Sequence, residues 1–224
     1  MKKIALVLII FVCAGAALFA QNNSFGIGIE IPRYYTNFVF SDKGKEALTT
    51  GDFGALSSGL SLFAYLEMKF IEANIGFLFG KYEQNSSLTD VIDFNKAKIG
   101  LYGKIPINLG TVQLFPMLGA DFQLSLDPSA WKPIEKPQLT LNIADDIKKI
   151  AEDRLHAFMN NVWFKFGLGA DFNLSKQLNL HTSFLYGIRL ESALEKELKD
   201  LSDEMIKGIV GHGFDIRIGF GIRF

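Results

Sequence analysis

The sequence predicts an all-β protein: an eight-stranded antiparallel up-and-down transmembrane β-barrel. Three observations carry this. Eight segments alternate large apolar residues with polar or glycine residues, the period of a strand with two unlike faces. The connections between them alternate in length, short then long. Hydrophobic residues make up 49% of the 224-residue chain, yet beyond the first twenty residues no apolar run is long enough for a membrane helix. A greasy chain without a spanning helix suits a barrel, which spreads its apolar residues over alternating strands.

The N-terminal residues have a separate logic. Lys2 and Lys3 precede an apolar run from Ile4 to Val12, and Ala14 to Ala20 are mostly small. This predicts a secretory signal peptide over 1–20, with the barrel domain over 21–224. The single cysteine, Cys13, lies inside that leader, so the mature domain carries no thiol and no disulfide framework. Net charge is −1, which gives no basic excess for nucleic acid.

The strands follow in order. In the first, Phe25, Ile27, Ile29 and Ile31 alternate with Gly26, Gly28 and Glu30. In the second, Leu60, Leu62, Ala64, Leu66, Met68 and Phe70 alternate with Ser61, Phe63, Tyr65, Glu67 and Lys69. Ile75, Phe77 and Phe79 mark the third; Ala97, Ile99, Leu101, Ile105 and Ile107 mark the fourth, opposite Lys96, Lys98, Tyr102 and Lys104. The fifth sets Val112, Leu114, Leu118, Ala120, Phe122 and Leu124 against Asp121 and Gln123, with Pro116 as an expected bulge. The sixth sets Val162, Phe164, Phe166, Leu168, Ala170 and Phe172 against Lys165 and Asp171. The seventh sets Leu178, Leu180, Phe184, Tyr186, Ile188 and Leu190 against His181, Ser183 and Arg189. The eighth, Phe214 to Phe224, is apolar at every even position and charged or glycine at every odd one.

Short turns are expected near 71–73, 109–111 and 175–177, and long connections over 33–58, 82–95, 126–160 and 191–208, the first of which, with Tyr34, Tyr35 and Phe38, is expected to extend the strands. Two of the long ones have helical spacing. Ile143, Ile147, Ile150, Ala151, Leu155 and Phe158 form one stripe; Leu194, Leu198, Leu201 and Met205 form another, behind a Ser192/Glu195 capping box. Short helices are therefore expected in these loops. They are also the candidate surface for an extracellular ligand.

Alternation alone does not say which face is inside, since a soluble lipocalin-type barrel alternates too. Glycines on the polar face argue for an inverted barrel. They weaken a solvent-facing strand but make room for large side chains in a narrow lumen. The expected lumen core is Glu30, Glu67, Lys98, Lys104, Asp121, Lys165, Asp171, Arg189, Asp215 and Arg217, with Lys69 on the same face. Both signs are present, as buried charges require.

The terminal strand resembles that of bacterial outer-membrane barrels, whose last residue is typically Phe. The whole mature chain resembles the small OmpA/OmpX-type barrels. That resemblance implies an integral protein of the bacterial outer membrane, in contact with its lipid. It also implies that Phe220, Ile222 and Phe224 form a signal read by the barrel-assembly machinery. Three functions follow as expectations: a non-enzymatic barrel with a closed, ion-paired lumen and loops for envelope or host interaction; a narrow porin or transporter for small or hydrophobic solutes; and a lipid-modifying enzyme. For the last, His181 and Ser183 form an H-x-S that resembles a barrel-type lipid A deacylase. Both are expected to face the lumen, without an evident acidic orienter. No catalytic residue, cofactor or metal site is expected, because no cysteine or histidine cluster has ligand spacing.

Overall fold

The computed structural model describes residues 23–40, 53–84, 91–126, 160–190 and 206–224. They form one antiparallel sheet of nine strands: β1 (Ser24–Phe40), β2 (Phe53–Glu67), β3 (Ile71–Gln84), β4 (Val91–Lys104), β5 (Ile107–Asn108), β6 (Val112–Ser125), β7 (Asn161–Asn173), β8 (Leu178–Leu190) and β9 (Ile206–Arg223). β5 is a two-residue strand in the turn between β4 and β6. The other eight are the staves of a barrel, each paired with its neighbours in sequence. Pairing of β1 with β9 closes it, in register from Ser24↔Arg223 to Val39↔Gly208. Phe224 N–H to the Asn23 carbonyl (3.0 Å) extends this seam, and Arg223 N–H to that of Gln177 (2.7 Å) extends the pairing of β9 with β8.

The strands are longer than alternation alone suggests. β1 continues to Phe40 and β2 begins at Phe53, so most of the connection expected over 33–58 is strand. Polar and aromatic residues continue the pairing there without the clean period of the lower half. The second and third short turns fall where expected; the first lies at 68–70, ahead of the expected 71–73, because β3 already begins at Ile71. Met68 N–H meets the Ile71 carbonyl at 2.7 Å, and Leu109 N–H that of Val112 at 2.8 Å. Gly110 takes a φ of 82° in the second of these turns, a conformation that favours glycine. In the third, Ser175 Oγ accepts from Gln177 N–H (3.2 Å) and Leu178 N–H (3.0 Å), closing a local Ser turn.

Pro116 is not a bulge. Its strand pairs with β7 without a register shift from Val112↔Phe172 to Gln123↔Asn161. The Pro116 carbonyl accepts from Ile105 N–H at 3.2 Å. The N–H and C=O of a strand residue point to the same side, so the missing donor faces the break between β4 and β5, where Pro106 sits. Pro106 and Pro116 thus sit at one break in the pairing, where a donor has least use.

The barrel is inverted relative to a soluble protein. Ile27, Leu62, Phe77, Leu101, Leu118, Leu168, Phe184 and Phe220 are exposed on the outside, while Glu30, Lys98, Asp121, Lys165, Asp215 and Arg217 are fully buried inside. Around the outside, Phe166, Tyr186, His212 and Tyr35 form a chain of ring contacts 5.5–6.3 Å apart. Lys69 is corrected: it lies exposed in the β2–β3 turn, because β2 ends at Glu67 and its parity ends there too.

The predicted signal peptide and the Ile143–Phe158 and Leu194–Met205 stripes lie outside the described residues. So does His156.

Candidate functional site

Lumen glycines set the space available. A Cβ at Gly169 would collide with the Phe115 ring, and one at Gly26 with the Tyr65 ring. The glycines therefore admit aromatic rings as well as charged side chains. Gly169→Ala is expected to cost about 1–3 kcal/mol, as overpacking does, measured as a shift in urea midpoint of the detergent-folded protein. Gly103 has only one atom near a built Cβ, at 3.7 Å, so Gly103→Ala is the matched control.

The lumen holds three tiers. In the tier farthest from the termini, Tyr34 stacks on Trp163 with centroids 4.3 Å apart. Lys96 donates to Tyr82 Oη at 3.0 Å and lies 4.8 Å from the Phe94 ring centroid. Arg189 is buried here, and a Cβ at Gly211 would meet both it and Trp163.

The middle tier is a network of three anions and three cations. Arg217 Nε donates to Glu30 at 2.7 Å and its Nη2 to Tyr102 Oη at 2.6 Å. Tyr102 in turn donates to Asp121. Lys98 pairs with Glu30 and lies 3.7 Å from Asp121. Lys165 donates to Asp121 at 2.5 Å, to Tyr34 Oη at 2.8 Å and to Asp215. Tyr34 donates to Asp215 at 2.6 Å. Several of these bonds join strands that are not neighbours: Glu30 on β1 with Lys98 on β4, Lys165 on β7 with Asp215 on β9. They cross the lumen instead of running along the wall. All six charges are fully buried, where loss of one partner strands the others.

The lowest tier lies beside the short turns. Lys104 pairs with Glu67, which also accepts from Ser24 Oγ at 2.5 Å. His181 Nδ1 lies 2.8 Å from Asp171, and its Nε2 lies 3.6 Å from Glu72. Its ring packs between Tyr65 and Phe115, with centroids 4.9 and 5.6 Å away. Asp171 corrects the expectation that His181 lacks an acidic orienter. The two are opposite each other in the β7–β8 hairpin, a register that the 174–177 turn imposes. His181 and Ser183 both face the lumen, buried within the wall.

Of the ten residues expected in the lumen core, six form the middle network. Glu67, Lys104 and Asp171 form the lower tier, and Arg189 the upper. Phe220 and Ile222 face outward on β9 and Phe224 follows its end, each more than half exposed. Tyr34, Glu72, Tyr102 and His181 complete the network without having been singled out for it. Strand parity points to Tyr102 and His181. Glu72 lies in what reads as a turn and Tyr34 in what reads as a loop, so parity stops short of both.

No protein-family model and no curated protein matches the chain. Among solved structures, the chain is similar to Neisserial surface protein A at 10% identity, covering 88% of this chain and 97% of that one, with a TM-score of 0.39. It is similar to the attachment invasion locus protein Ail of Yersinia pestis at 13% identity, covering 91% and 99%, with a TM-score of 0.35. It is also similar to the outer membrane protease OmpT of Escherichia coli at 8% identity, covering 92% and 97%, with a TM-score of 0.35. At such identities and TM-scores, the function is left to this chain's own residues.

Proposed function

We propose that this chain is a non-enzymatic barrel of the bacterial outer membrane, sealed across its lumen, whose long connections meet envelope or host partners. The cross-lumen network of Glu30, Lys98, Asp121, Lys165, Asp215 and Arg217 carries this reading. Bonds that span the lumen between non-adjacent strands leave no continuous aqueous path at that height. The outer surface suits hydrocarbon: its exposed side chains over the strand mid-lengths are Ile, Leu and Phe, and a closed sheet leaves no backbone edge unpaired. The ring chain from Phe166 to Tyr35 suits the aromatic girdle of such barrels. An exported precursor with a cleaved leader and a C-terminal Phe read by the assembly machinery fits the same picture.

The lumen position of His181 and Ser183 supports the non-enzymatic reading, since the wall separates them from any acyl chain. The connections 41–52, 85–90, 127–159 and 191–205 all leave from strand ends opposite the short turns. They are the sequence available to an external partner.

Planar-bilayer recording tests the seal. The purified protein is expected to give no reproducible unitary conductance, with folding confirmed by heat-modifiable migration. Stable single-channel steps in folded protein would replace this reading with that of a narrow porin.

A further inference from the structure

The lowest tier of the lumen gathers buried carboxylates with fewer buried cations than the middle tier. Glu30, Asp121 and Asp215 bring three carboxylates together, but Lys98, Lys165 and Arg217 stand among them. In the lower tier Glu67, Glu72 and Asp171 are also buried, with Lys104 buried beside them and Arg223 half-buried on the inward face of β9. Arg217 reaches Glu72 Oε1 at 3.5 Å but already balances the tier above. Three buried carboxylates thus stand with one buried cation around the His181 imidazole. Buried charges need compensation.

The atoms left over point at one another. A carboxylate only accepts, so in the 2.8 Å contact His181 Nδ1–H donates to Asp171, and Nε2 is the ring nitrogen left for another partner. Nε2 faces Glu72 Oε2 at 3.6 Å, too far for a hydrogen bond. Among the described residues, His181 Nε2, Glu72 Oε2 and Asp171 Oδ2 have no hydrogen-bond partner. His181, Glu72 and Asp171 are each fully buried. A buried imidazole nitrogen and a buried carboxylate oxygen, both without partners, leave a place for a bridging group between them.

We propose that this tier binds a divalent transition-metal cation, held by His181 Nε2 and Glu72 Oε2 and oriented through Asp171. The geometry fits. Donors about 2.0–2.2 Å from a tetrahedral ion stand about 3.3–3.6 Å apart. One ligand atom each from Glu67, Asp171 and His181 lies within 4.8 Å of the other two, so carboxylates of two further strands stand beside the imidazole. The Asp171–His181 pair is the carboxylate–imidazole arrangement that fixes a ligand's tautomer. Imidazole with carboxylate suits Zn²⁺, Mn²⁺ or Fe²⁺ better than Ca²⁺. The four residues come from β2, β3, β7 and β8, so no sequence spacing announces them. The ion would tie four staves together at the turn end.

The test uses chelator-stripped, detergent-folded protein dialysed against ZnCl₂, with bound metal measured by mass spectrometry. The chain has three histidines, so the variant H156N/H212N retains His181 as its sole imidazole. It is expected to bind about one Zn²⁺ per chain and, loaded with Co²⁺ instead, to show the visible absorption of a low-coordinate site. H181N and E72Q are expected to bind at least about 100-fold more weakly, and D171N about 10- to 100-fold more weakly, as loss of an orienting partner does. Heat-modifiable migration confirms the fold of each. The proposal is overturned if folded H156N/H212N takes up no Zn²⁺ or gives only the spectrum of aqueous Co²⁺, or if folded H181N binds undiminished. The Co²⁺ spectrum decides the matter even if H181N fails to fold. The bilayer recording is independent of this result, so either reading can fail alone.

Discussion

Replacing Lys165 with methionine is expected to cost about 3–5 kcal/mol, the loss that follows when one partner of a buried ion pair is removed. Lys165 donates to Asp121, Asp215 and Tyr34 at once, so the variant leaves two carboxylates facing each other without their shared ammonium. Shape is not the main loss, because methionine nearly fills the volume of the lysine stem. The double variant K165M/D215N distinguishes charge from packing. It leaves Glu30 and Asp121 against Lys98 and Arg217, a neutral set. If charge balance governs the lumen, the double variant is more stable than K165M alone, although it carries one more substitution. Urea unfolding of detergent-folded protein, followed by heat-modifiable migration, measures all four corners of the cycle. A double variant no more stable than K165M would show that the network acts through shape.

A single arginine on the outer wall has an effect of similar size for a different reason. Leu168 lies near the middle of β7 and is 67% exposed. On a soluble barrel, Leu168→Arg would exchange an exposed apolar side chain for a charged one, a change usually within about 0.5 kcal/mol. In a bilayer the same substitution places a guanidinium near the hydrocarbon midplane, at about 2–4 kcal/mol. Unfolding titrations of L168R and wild type in lipid vesicles read the difference. A loss of that size is the expected result, and a neutral or stabilising outcome would place this face in water. Leu126, exposed at the end of its strand, is the depth control. L126R is expected to cost less, because the penalty falls towards the interface.

How much of this was legible in the sequence differs from element to element. β9 is the clearest case. Its strict alternation from Phe214 to Phe224 identifies strand, inward face and outward face without any partner, because a period of two has one geometric meaning. β1 is legible only to Ile31. Beyond it Tyr34, Tyr35 and Phe38 obscure the period, and pairing with β2 and β9 carries the strand on. Lys69 shows the opposite error, where parity extended one residue pair beyond the strand's end moves an exposed lysine into the lumen. Pro116 reads as a disruption until the β4–β5 break beside it is known.

The candidate sites divide in the same way. That charged residues of both signs line the lumen follows from which residues alternate with the apolar face. Which charges meet does not follow, since Glu30 and Lys98 are 68 residues apart and on non-adjacent strands. Strand tilt and register set their height, and neither is written in any one strand. The lower tier is the extreme case: Glu67, Glu72, Asp171 and His181 are ordinary residues on four separate strands. Only closure of the sheet brings an orphaned imidazole nitrogen against an orphaned carboxylate oxygen.

By itself, then, the sequence determined the class of the fold, the number of staves, the short-turn end and the two faces of the wall. Those depend on local periodicity and turn chemistry, which each segment carries alone. The tertiary structure decided that the lumen is crossed by a balanced network in the middle and gathers three buried carboxylates around His181 at the turn end. Those depend on the distance between side chains remote in sequence, which exists only once the eight staves have closed on one another.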